Sequence, residues 1–106
     1  MKIPKYFELM GTKIEVVEDV DIMQNDDARG MAVYRLDKIK IAPSTPVYCM
    51  SQDQKEHVFL HELVHWIFYK LNKEDLRKDE DLVDMIADLL HQTIKSAKGE
   101  FNGDSF

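Results

Sequence analysis

In His57–Leu71, HVFLHELVHWIFYKL, His61 and His65 stand four residues apart, with Glu62 directly after the first. On a helix this spacing sets two imidazole rings side by side, so that one nitrogen of each can meet a single Zn²⁺ at roughly 2.0 to 2.1 Å. Glu62 is rotated round the helix from both. There its carboxylate reaches a water on the metal without ligating the metal itself, the placement of a general base. His61 and His65 are therefore candidate metal ligands, and Glu62 is the candidate catalytic residue. The competing explanation is a pair of core histidines satisfied by backbone carbonyls. It is the weaker one, because two imidazoles left unpartnered beside an apolar face cost a few kcal/mol. His57 extends the same stripe by one turn, but a third ligand from one helix would strain tetrahedral geometry, so it reads as a supporting or surface residue.

A catalytic zinc takes three protein ligands and keeps one position open, so the third should come from another element. The stretch Lys78–His91 has helical periodicity, with Glu80, Asp84, Ala87 and His91 on one stripe beside an apolar face of Leu82, Val83, Ile86, Leu89, Leu90 and Ile94. Glu80 is the expected third ligand and Asp84 its rival. Asp84 otherwise suits the role of accepting the free ring N–H of a ligating histidine. Asp79, Glu80 and Asp81 would also favour a helix N-terminus for their charge alone, as Lys95 and Lys98 favour its other end. Tyr34, Tyr69 and His91 are the available hydrogen-bond donors to an oxyanion, though each reads first as a packing or surface residue. Cys49 is expected to be a buried structural thiol, and Trp66 and the methionines to fill the core.

These side chains need a helix from about Ser51 to Leu71, where Ser51 and Gln54 form a capping-box pair and Leu60, Leu63, Val64, Ile67 and Leu71 make one apolar face. Upstream the pattern is β-like. Tyr6–Leu9 and Lys13–Glu18 flank Met10-Gly11-Thr12 as a hairpin, Gln24-Asn25-Asp26-Asp27 reads as a loop, and Met31–Leu36 and Ile39–Ile41 flank an Asp37-Lys38 turn. The expected fold is α+β: one domain over 1–106, with a small antiparallel sheet in residues 1–50 packed on two main helices in 51–98, and a tail at 99–106. A chain of 106 residues supports one core, and 44% hydrophobic with 32% charged residues fits a soluble protein. A net charge of -6 argues against nucleic acid as a partner, and no apolar run is long enough to span a bilayer. With no secretory-type leader and a single cysteine, a reducing cytoplasm is the expected location.

HELVH followed by a helix carrying Glu80-x-x-x-Asp84 resembles the gluzincin metallopeptidases. The short chain is similar, over roughly Gly30 to Lys95, to small phage- and mobile-element-encoded relatives of the ImmA/IrrE metallopeptidases. The resemblance implies a minimal zincin-like domain with a sheet edge lying over the zinc helix. It also implies Zn²⁺ held by His61, His65 and a glutamate, Glu62 as base, and hydrolysis of peptide bonds of an intracellular protein in a bacterial cytoplasm. Two features depart from the family pattern. The gap from His65 to Glu80 is shorter than in the larger gluzincins, and the Glu-Ala-Asn-like element survives only loosely as Leu82-Val83-Asp84. The alternative function is a zinc-stabilised module that binds a host protein and cleaves nothing. The presence of Glu62 weighs against it, since a structural zinc favours a closed shell of four ligands and has no use for a base.

Overall fold

The fold is described for residues 1–26 and 28–102 of a computed structural model. Strands β1 (Tyr6–Leu9) and β2 (Thr12–Glu18) form the expected hairpin. Met10 and Gly11 at its tip both have positive φ, 49° and 81°, the two-residue pattern whose twist matches the flanking strands. The polar run expected as a loop instead closes a short helix, α1 (Asp21–Asp26). Asp19 Oδ1 accepts the Asp21 N–H at 2.9 Å to start it, and buried Ile22 with partly buried Met23 anchors it to the core despite the polar composition. Asp27 lies outside the described residues.

Strand β3 (Gly30–Val33) is shorter than expected, because Tyr34–Leu36 form a 3₁₀ turn that ends at Asp37 in the left-handed region before β4 (Lys38–Ile41). The sheet order is β1-β2-β4-β3. Both hairpins are antiparallel, but β2 and β4 pair in parallel, Val16 opposite Ile39, so the sheet is mixed where an antiparallel one was expected. The connection through α1 carries the chain across, and the second hairpin then docks with its later strand innermost. This leaves β3 on the edge.

Helix α2 (Gln52–Lys70) packs beneath the sheet and opens on the expected capping box. Ser51 Oγ accepts the Gln54 N–H at 3.1 Å, and Gln54 Oε1 accepts the Ser51 N–H at 2.8 Å. Ile14, Ile39 and Ile41 from the sheet meet Phe59, Leu60 and Trp66 from α2 in one core. Trp66 is fully buried, and its indole N–H donates to the Lys38 carbonyl at 3.1 Å, tying α2 to β4. Leu71 falls past the helix end and is exposed. A four-residue helix, α3 (Glu74–Arg77), then leads into α4 (Glu80–Ser96), where Asp79 accepts the Leu82 N–H at 3.1 Å as its cap.

The overall α+β arrangement, a small sheet packed on two main helices, is the one expected, but the apolar face of α4 is less buried than expected. Only Val83 and Ala87 are fully buried on it, while Leu89, Leu90 and Ile94 are exposed. Its polar stripe faces α2, where Glu80 and Asp84 meet the histidines and His91 meets Glu56. Cys49 is exposed rather than buried, the neighbouring Met50 taking the inward position. Of the methionines, Met50 is in the core, whereas Met10 and Met85 are exposed. Residues 99–102 carry no helix or strand, and 103–106 lie outside the described residues. Among the described residues no helix is long and apolar enough to cross a membrane.

Candidate metal centre

His61 and His65 project from one side of α2 with ring centroids 4.9 Å apart, as their spacing requires. Glu80, the first residue of α4, reaches across to both. Its Oε2 lies 3.1 Å from His61 Nε2, and its Oε1 lies 3.2 Å from His65 Nε2. One donor atom from each of the three lies within 4.8 Å of the others. Atoms bound to one zinc at 2.0 to 2.1 Å with tetrahedral angles stand about 3.3 Å apart, and the two histidine–carboxylate spacings, each to a different oxygen of Glu80, are close to that. In its chemistry the donor set suits such an ion.

Hydrogen-bond bookkeeping at His61 points the same way. Its Nδ1 lies 3.1 Å from Asp84 Oδ1, an oxygen that can only accept, so Nδ1 carries the proton. In the neutral ring Nε2 then offers a lone pair, yet it faces another acceptor, Glu80 Oε2, at 3.1 Å. Two lone pairs at that distance call for a proton or a cation between them. Burial holds the His65 ring below the usual histidine range, which favours the neutral, ligating form, although the Glu80 charge opposes this.

Asp84 accepts from His57 as well, Nε2 to Oδ1 at 2.9 Å, and His57 Nδ1 lies 3.0 Å from Asp88. His57 therefore braces the acceptor of His61 and stands away from Glu80. His57, His61 and Asp84 form a second group close enough for a cation. Using it would take the same His61 nitrogen that now donates to Asp84, so the two groups compete.

Glu62 is buried beside this cluster. Burial lifts its carboxyl to about 7, opposed by the nearby His61 charge and reinforced by Glu80. A backbone hydrogen bond from Ala32 on β3 holds it. The sheet register explains why that N–H is free to do so. The Ala42 N–H donates to the Arg29 carbonyl at 2.8 Å, which makes 29/42, 31/40 and 33/38 the bonded pairs of the β3–β4 ladder. The backbone groups of Gly30 and Ala32 consequently point to the open edge. Gly30 also lets the strand sit very close to α2, since a Cβ there would lie 2.5 Å from Val58 Cγ1 and 3.0 Å from Glu62 Oε2.

A hollow of about 430 Å³ is lined by Gly30, Ala32, Tyr34, His61, Glu62, His65, Arg77 and Glu80 among others, and a second of about 470 Å³ continues past Gly30 toward His57 and Asp84. Tyr34 stacks on Tyr69 at 4.2 Å, lies edge-on to Trp66 and has the Arg77 guanidinium 5.1 Å above its ring. Burial raises its hydroxyl above the ordinary tyrosine value, so it stays an O–H donor. Tyr69 does not line the hollow. His91 lies elsewhere on α4, 2.9 Å from buried Glu56, where Lys95 also reaches at 3.3 Å.

Gly30, Ala32 and Arg77 were not among the residues singled out from sequence. Gly30 and Ala32 left a readable signal, two small residues on the same face of a strand, the mark of a closely approaching helix. Arg77 left none, because α3 is too short to show periodicity. Comparison with known protein families, curated proteins and solved structures finds no match to this chain.

Proposed function

We propose that the protein is a zinc-dependent metallopeptidase in which His61, His65 and Glu80 hold the metal and Glu62 is the general base. The observation that carries this reading is the pair of lone-pair-bearing nitrogens converging on the Glu80 carboxylate, beside a buried glutamate that ligates nothing. Zinc held there would supply Lewis acidity toward a peptide carbonyl and make water acidic enough to lose a proton near neutral pH. Glu62 takes that proton from the attacking water and later returns it to the leaving amine. The Ala32 N–H and the close approach of Gly30 fix its carboxylate on the side facing the hollow. Asp84 holds the His61 ring in the tautomer that leaves Nε2 free, and His57 holds Asp84. Tyr34 and Arg77 offer O–H and N–H donors to the oxygen on which negative charge grows. The substrate on this reading is a peptide segment of another protein, and a net charge of -6 argues against nucleic acid as a partner.

The test is Glu62→Gln, which keeps size while removing the proton acceptor. Wild type and variant should each take up about one Zn²⁺ per chain and melt alike. Hydrolysis of a quenched peptide library should fall by several orders of magnitude in the variant. Equal behaviour of the two in every assay would replace the enzyme reading by that of a zinc-stabilised binding module.

A further inference from the structure

The setting of α4 leaves an apolar face without a partner. At about 100° per residue, Glu80, Val83, Asp84, Ala87 and His91 look toward α2, and Leu82, Met85, Ile86, Leu89 and Leu90 share the opposite side. Met85 is 59% exposed, Leu89 64% and Leu90 36%, with Leu82 and Ile86 half-buried between them. A continuous apolar strip on the outer face of a helix marks an interaction surface.

Charge at the two ends of the strip selects the occupant. Asp81 and Lys98 have no oppositely charged partner among the described residues. In sequence they stand almost symmetrically about Leu89, Asp81 in the first turn of α4 and Lys98 two residues past its last, Ser96. If a second copy lies antiparallel with Leu89 at the crossing, Asp81 of each chain meets the partner's Lys98, and the helix dipoles run in opposition. The 17 residues of α4 make a helix about 25 Å long, and two such helices crossed along their apolar faces bury on the order of 1,000 Å², about what a specific interface requires.

We propose that the protein is a two-fold symmetric homodimer, built by antiparallel packing of α4 on the partner's α4 through Met85, Leu89 and Leu90. A two-fold interface is self-complementary, which a strip with an acid at one end and a lysine at the other satisfies. The strip lies across α4 from Glu80 and Asp84, so the hollow stays open in each subunit.

Sedimentation equilibrium of the full chain over a concentration series tests this. The expected mass is twice the 12.4 kDa of one chain. Leu89→Glu, at a position exposed in the single chain, should give the single-chain mass with unchanged circular dichroism. Asp81→Lys and Lys98→Glu should each weaken association several-fold, and the two combined in one chain should restore it. A single-chain mass for wild type throughout, a dimer that survives Leu89→Glu, or a double variant no tighter than the single ones would each overturn the proposal.

Discussion

Gly30→Ala adds one methyl group where β3 crosses α2. The new Cβ would lie 2.5 Å from Val58 Cγ1, 3.0 Å from Glu62 Oε2 and 3.1 Å from Glu62 Cγ. Carbon atoms in contact sit about 3.5 to 4.0 Å apart, so the strand must lift by about 1 Å at this point. Val58 cannot swing aside, because a β-branched side chain in a helix has essentially one rotamer. Overpacking of this kind costs about 1 to 3 kcal/mol, or roughly 4 to 8 °C of melting temperature for each kcal/mol. The larger effect should be on rate, since Glu62 is held by the strand that moves, and about 1 Å of misplacement of a reacting group costs on the order of 100-fold. Zinc content should stay at the wild-type level, because the ligands come from α2 and α4. Gly11→Ala is the control. It strains a residue at φ 81° but has nothing within 4 Å, so it should lower stability and leave the rate per folded molecule alone. A Gly30→Ala protein that hydrolyses peptide at the wild-type rate would refute the view that β3 sets the position of Glu62.

Glu80→Ala removes the carboxylate that meets both His61 and His65 and should abolish tight zinc binding, whereas Asp84→Asn should weaken it roughly 10- to 100-fold. Competition with a chromogenic chelator ranks the two, and a larger loss for Asp84→Asn would exchange their roles. The His91 hydrogen bond holds the Glu56 carboxyl down at about 2, from an ordinary 4.5, despite its burial. A carboxyl depressed in the folded state stabilises it fully above pH 4.5 and loses that contribution as pH falls toward about 2. Metal-free Glu56→Gln should therefore melt below wild type at neutral pH, the gap closing across that window, and a gap that persists unchanged at pH 2 would contradict the assignment.

The elements with strong local signals were legible in the sequence. The Ser51–Gln54 pair announces α2, the acids Asp79, Glu80 and Asp81 at the head of a periodic run announce α4, and Met10-Gly11-Thr12 announces the first hairpin. What escaped depends on contacts distant in the chain. Nothing in β2 or β4 alone says that they pair in parallel, and α1 and α3 are too short for their periodicity to outweigh a polar composition. The histidine spacing on α2 follows from the helix period, so the proximity of His61 to His65 could be read directly. That Glu80 stands opposite both was an expectation from a shared stripe, and its distance from them depends on the turn through α3, which no local pattern encodes.

The setting of α4 joins the metal site to the unpartnered face. Each leucine left in solvent forgoes about 1.5 to 3 kcal/mol relative to full burial, so a lone chain following apolar periodicity would bury Leu82, Ile86 and Leu89. It turns Glu80, Asp84 and His91 inward instead. Val83 and Ala87 are the only fully buried apolar residues of α4, and they are too few to fix that orientation by burial. Carboxylates gathered against histidines call for a positive charge among them, a proton on an imidazole or a cation. A Zn²⁺ that holds a fold together, as in zinc-finger peptides, contributes about 10 to 16 kcal/mol at neutral pH, more than the forgone burial of Leu89 and Leu90. On the proposed reading the inward acids hold a cation, and the exposed Leu89 and Leu90 are covered by a second chain. If both proposals hold, one rotation of a helix serves the chemistry on its inner face and the assembly on its outer one.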